Sequence, residues 1–130
     1  RPDRRKALRL YREAAAAGDA HSELQMGDAY ETGLGVKPNL NQAIAWYERA
    51  SKRADAPKPA GEARYRLGKI YAGGGREKAN FVRAYMWMDL AAKSGHRDAD
   101  AARSKIEKQM SLDDIVRAKK EARQWNASIE

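Results

Sequence analysis

The sequence predicts an all-α fold, a solenoid of stacked helix pairs, and three observations carry that expectation. First, the chain repeats itself. A shift of 36 positions pairs Lys37-Pro38-Asn39 with Arg1-Pro2-Asp3, Ala43 with Ala7, Trp46 with Leu10, Tyr47 with Tyr11 and Ala50 with Ala14. A shift of 41 then pairs Met26-Gly27 with Leu67-Gly68, Tyr30 with Tyr71, Gly33 with Gly74, Ala43 with Ala84, Trp46 with Trp87 and Ala50 with Ala91. A period of this length is that of a helical hairpin repeated by stacking. Second, 25 of the 130 residues are alanine, the best helix former, and only 17 are Leu, Ile, Val or Phe. Third, polar caps and glycine stops recur at matching places in the repeats.

Each helix follows from these signals. Asp3, Asn39 and Asn80 read as N-caps of the second helices of successive hairpins, over residues 4 to 17, 40 to 53 and 80 to 94, with Gly18 and Gly95 as stops. The first helices run from 20 to 32 and from 62 to 72, closed by Gly33 and Gly35 and by Gly73 to Gly75. Between them, Ala56-Pro57-Lys58-Pro59-Ala60-Gly61 reads as a surface loop holding the five-residue insertion that separates the two registers. A closing pair follows. Residues 98 to 109 form its first helix, and Ser111-Leu112-Asp113-Asp114 starts a second with Ile115, Ala118, Ala122 and Trp125 on one face and Arg117, Lys120 and Arg123 on the other. The alanines in register, Ala7, Ala14, Ala43, Ala50, Ala84 and Ala91, mark places where helices approach closely.

Composition narrows the function. The net charge is +8, with residues 1–22 and 63–130 positive and 23–62 close to neutral. Such a field suits acidic partners, anionic surfaces or nucleic acid, and equally suits solvated helix faces. There are no cysteines, so no disulfide or thiolate metal site forms. No stretch is long and apolar enough to insert in a membrane.

The residues resemble a known family. Ala20-x3-Leu24-x-Met26-Gly27-x2-Tyr30-x2-Gly33-x-Gly35-Val36, followed by Ala43-x2-Trp46-Tyr47-x2-Ala50, resembles one full Sel-1-like repeat, a relative of the tetratricopeptide repeat. Residues 63 to 92 resemble a second, with Arg76-Glu77 where Gly-Val is expected. The resemblance implies a right-handed α-α superhelix of about two and a half repeats. It divides the single domain into residues 1–18, the second helix of an incomplete repeat; 20–54 and 62–95, two repeats; and 96–130, a closing hairpin. It also implies the C-terminal part of a longer array in a larger bacterial protein, and an adaptor role that favours the periplasm or cell envelope over the cytoplasm. An incomplete first repeat leaves Leu8, Leu10 or Tyr11 exposed unless an upstream helix or a second copy covers them.

Catalysis and cofactors find no support in the pattern. Gly73-Gly74-Gly75 is not followed by the Lys and Ser/Thr of a phosphate loop and aligns with an inter-helix turn. His21 and His96 lie far apart, with no cysteine or carboxylate at ligand spacing. The expectation is a non-enzyme without cofactor or metal. Trp46, Tyr47, Tyr85 and Trp87 among basic residues could stack on bases, but Trp46, Tyr47 and Trp87 occupy the packing register. By the resemblance, the first helices line a concave face that binds a protein or peptide, possibly acidic, through His21, Leu24, Asp28, Glu31, Glu62, Tyr65 and Lys69, with Ala72 one turn beyond. The alternative is a polyanion- or nucleic-acid-binding module driven by the basic charge.

Overall fold

The computed structural model describes residues 3–73 and 79–130. The glycine cluster from Gly74, the Arg76-Glu77 departure and Pro2 lie outside the described residues. Seven helices are present among the described residues and no strand: α1 (Arg4–Ala16), α2 (Ala20–Thr32), α3 (Leu40–Ser51), α4 (Pro57–Tyr71), α5 (Phe81–Lys93), α6 (Ala99–Glu107) and α7 (Leu112–Ser128). They form two compact units, residues 1–63 and 64–130, the division falling within α4. In the first, α2 packs against α1 and α3; in the second, α5 packs against α6 and α7.

The caps act as the sequence implies. Asp3 accepts from the N–H groups of Arg5 and Lys6 at 3.0 and 3.3 Å, Asn39 from Gln42 at 3.1 Å, Asn80 from Arg83 at 3.1 Å and Ser111 from Asp114 at 3.1 Å. Each bond satisfies a donor that a helix start otherwise leaves unpaired. Asp19 caps α2 in the same way, and its hydrogen bonds from Ser22 hold its carboxyl below the usual range. Gly33 ends α2 in the left-handed region at φ 81°, where a side chain would be strained.

One connection differs from expectation. The segment from Pro57 is not a loop: it is the start of α4, with Ala60 N–H bonded to the Ala56 carbonyl at 3.0 Å, and Gly61 is buried. Both prolines fall in the first turn, where a helix uses no N–H of its own residues, so they cost no hydrogen bond.

Small residues set the packing. A Cβ on Gly27 would overlap the Tyr47 ring, and one on Gly68 would lie 2.9 Å from Met88. These are the same places in the two repeats, and at each the side chain of the neighbouring helix packs directly on bare helix backbone. Ala43, Ala50, Ala84 and Ala91 are fully buried. In α1 the pattern shifts: Ala7 is exposed and Ala14 half-buried, while Leu8 and Ala15 are buried against Met26 and Ala29. Of the three residues expected at an open first helix, Leu8 is core, because α1 turns that side toward α2. Leu10 takes the exposed position, at 60%.

Two buried acids tie the helices together. Glu23 is fully buried and accepts two bonds from Arg53, at 2.9 and 2.8 Å, with Arg49 at 3.2 Å. Asp89 on α5 meets Arg103 of α6 at 2.6 Å and Lys93 at 3.0 Å. Each buried carboxylate thus faces two cations, which offset the cost of taking it out of water.

Candidate functional site

The second unit carries an open groove of about 610 Å³ along α4 and α6, lined by Tyr65, Lys69 and Ala72, by Met88 of α5, and by Asp98, Ala101, Ala102, Lys105 and Ile106. Tyr65 and Lys69 on α4, and Ala72 just past its end, are three of the four positions that the family resemblance implies there. Its walls are built from small or apolar side chains, with the two lysines and Asp98 as the charged groups.

Tyr65 is held in place. Its ring stacks on His96, with centroids 4.2 Å apart and planes at 15°, and Lys69 Nζ lies 5.5 Å from the same ring. His96 Nδ1 accepts from the Asp98 N–H at 3.2 Å, which fixes the imidazole at the start of the closing hairpin. A half-buried, pre-positioned aromatic ring beside an ammonium is an anchor that loses little entropy on binding.

The same face of α2 is built differently. Tyr47 donates its hydroxyl toward Asp28 at 2.6 Å and Glu31 at 2.7 Å, and burial, then these two acids, push the phenol well above its usual pKa. A shift of 41 replaces Tyr47, Asp28 and Glu31 by Met88, Lys69 and Ala72. The second repeat thus lacks the hydroxyl–carboxylate lock, and in the groove the side chains of Met88 and Ala72 leave room.

The other expected residues fall elsewhere. Leu24 is only 8% exposed, a core residue and not an outward one, since α2 buries more than one side. Asp28 and Glu31 are half-buried and engaged by Tyr47. His21 is exposed, its ring edge-on to Tyr11 at 6.3 Å. Glu62 is half-buried and lies outside the groove lining. Sequence reasoning missed the α6 wall. The signal was present: Asp98, Ala102 and Lys105 repeat the spacing of Tyr65, Lys69 and Ala72.

The aromatic residues weighed for base stacking are in the interior. Tyr47, Tyr85 and Trp87 are buried, and Trp46 is half-buried beneath the Arg49 guanidinium. Tyr85 donates to Glu107 at 3.1 Å, and its phenol is pushed up to about 12 by burial and then by that acid. Among the described residues no group of three or more His, Cys, Asp or Glu side chains gathers as a metal site would require, and no helix is long and apolar enough to cross a membrane.

Comparison with known proteins agrees with this architecture. The Sel1 repeat family model matches residues 1–19, 20–55 and 61–96. The chain is 36% identical over 55 residues to DAP3-binding cell death enhancer 1 of Rattus norvegicus, covering 42% of this chain and 11% of that protein. It is 33% identical over 95 residues to chitin synthase regulatory factor 3 of Schizosaccharomyces pombe, covering 72% of this chain and 10% of that protein. The chain therefore spans only about a tenth of the curated relatives it matches. A crystal structure of a protective antigen of uropathogenic Escherichia coli strains, displaying an SLR fold, superposes with a TM-score of 0.82 at 28% identity, over 93% of this chain and 25% of that one. The chain belongs to the Sel1 repeat family.

Proposed function

We propose that this chain is a protein-interaction module that holds a segment of a partner protein in the groove between α4 and α6. The observation that carries the reading is the groove itself: an apolar floor from Tyr65, Met88 and Ile106, small alanines that admit a bulky side chain, and Lys69 and Lys105 as donors. The occupant is a peptide with an apolar anchor and acidic residues beside it. The relatives point the same way, one being named for binding another protein and one as a regulatory factor. Binding, not catalysis, is the activity proposed.

Selection from a random peptide library displayed on phage tests this directly. Peptides with an aromatic or aliphatic residue flanked by Asp or Glu are expected to be enriched, and to lose binding to the Tyr65→Ala, Lys69→Glu double variant. Enriched peptides that bind this variant as well as the parent chain would sink the proposal. Salt separates the polyanion alternative: phosphate contacts release counterions and weaken steeply with salt, whereas an anchor buried against Tyr65 keeps its affinity.

A further inference from the structure

A second surface lies in the first unit. Between α1 and α2 is a hollow of about 150 Å³ lined by Arg4, Ala7, Leu8, Tyr11, Ala29 and Leu34, with Gln25 and Asp28 completing it. A space of that size lined by apolar side chains takes a small hydrocarbon group. Leu34 at its edge is 47% exposed, so the apolar surface continues outward. The adjoining turns of α1 are basic: Arg4, Arg5, Lys6 and Arg9 are all exposed, and none is in an ion pair among the described residues.

The start of α7 has the opposite character. Leu112 and Val116, one helical turn apart, are 81% and 65% exposed. Asp113, exposed in the first turn, flanks this pair, also without a cation among the described residues. An aliphatic pair beside an unpaired acid is the chemical complement of an apolar hollow beside four cations.

We infer that copies of this chain associate head to tail, Leu112 of one copy entering the α1–α2 hollow of the next while Asp113 faces Arg4, Arg5 and Arg9. The occupant is a second copy of the chain. The contact is heterologous, since a patch on one copy meets a different patch on another. Being small, it is weak and depends on concentration, and its exposed charge pairs make it sensitive to salt. It uses none of the groove residues, so it stands or falls separately from peptide binding.

Sedimentation velocity of the 130-residue chain over a range of concentrations provides the test. The wild-type sedimentation coefficient is expected to rise with concentration, and Leu112→Asp and Leu34→Asp, both exposed substitutions, each to abolish that rise while circular dichroism stays unchanged. An equal mixture of the two variants should form a heterodimer that grows no further, because each keeps one intact surface. A wild-type chain that stays monomeric overturns the inference and leaves the hollow to some other helix. Variants that associate like the wild type, or a mixture that stays monomeric, overturn it too.

Discussion

The aromatic ring of Tyr47 lies where a Cβ on Gly27 would have to be, and the two residues lock α3 onto α2. Gly27→Ala should destabilise the chain by about 1–3 kcal/mol, the usual cost of overpacking, less the small helix-propensity gain. Gly68→Ala should cost less, because Met88 is unbranched and can move aside. Urea unfolding of both variants checks the order, and equal losses would contradict it.

Glu23 is the electrostatic fastening of the first unit. Replacing it with Gln leaves Arg53 and Arg49 without their carboxylate and leaves a buried amide imperfectly matched to two guanidiniums. Because Arg49 and Arg53 remain partly exposed to water, the expected loss is about 2 kcal/mol, below the cost of breaking a pair buried on both sides. Chemical denaturation measures it. A double variant that also replaces Arg53 should lose less than the sum of the single changes.

Tyr85 and Tyr47 give the fold an alkaline limit. Both phenols are raised above their ordinary value of 10.0, so the neutral forms are favoured in the folded state. Their contribution is fully present below pH 10 and is lost as pH rises, for Tyr85 through about 12. Ultraviolet titration should show Tyr85 ionising near 12 in the native chain, a step that Tyr85→Phe removes. In denaturant that delay should vanish.

At the acid end the sign reverses. The Asp19 carboxyl is lowered from 3.8 by the Ser22 hydrogen bonds, so its capping contribution is present above 3.8 and lost as pH falls below it. Asp19→Ala should therefore weaken α2 at neutral pH and flatten the loss of stability below pH 4. Thermal unfolding as a function of pH shows whether it does.

Much of this was legible in the sequence, for a physical reason. Caps such as Asn39 and Asn80, and the alanine register from Ala43 to Ala91, act over one or two turns, and local chemistry is written locally. Two kinds of feature were not. Pro57 and Pro59 read as a loop because prolines interrupt most helices, and only their place in the first turn makes them harmless. Leu24 reads as an outward residue because repeat position alone does not say how much of a helix its neighbours cover. The groove was half legible: Tyr65 and Lys69 stood out on α4, but the α6 wall depends on how the closing hairpin packs on α5.

The contrast between Tyr47 with its two acids and Met88 with Lys69 and Ala72 is why the proposed function puts the partner in the second unit. Tyr65→Ala and Lys105→Glu should each weaken a selected peptide about tenfold or more, as loss of an aromatic anchor or reversal of a facing charge does. Isothermal titration checks the two variants, with Asp28→Asn as a control on α2 expected to bind as the parent does.

The most direct measurement is a nuclear magnetic resonance titration of the 130-residue chain with such a peptide. Shift changes should concentrate on Tyr65, Lys69, Ala102, Lys105 and Ile106. Changes confined to α1 and α2, with those five unmoved, would contradict the account.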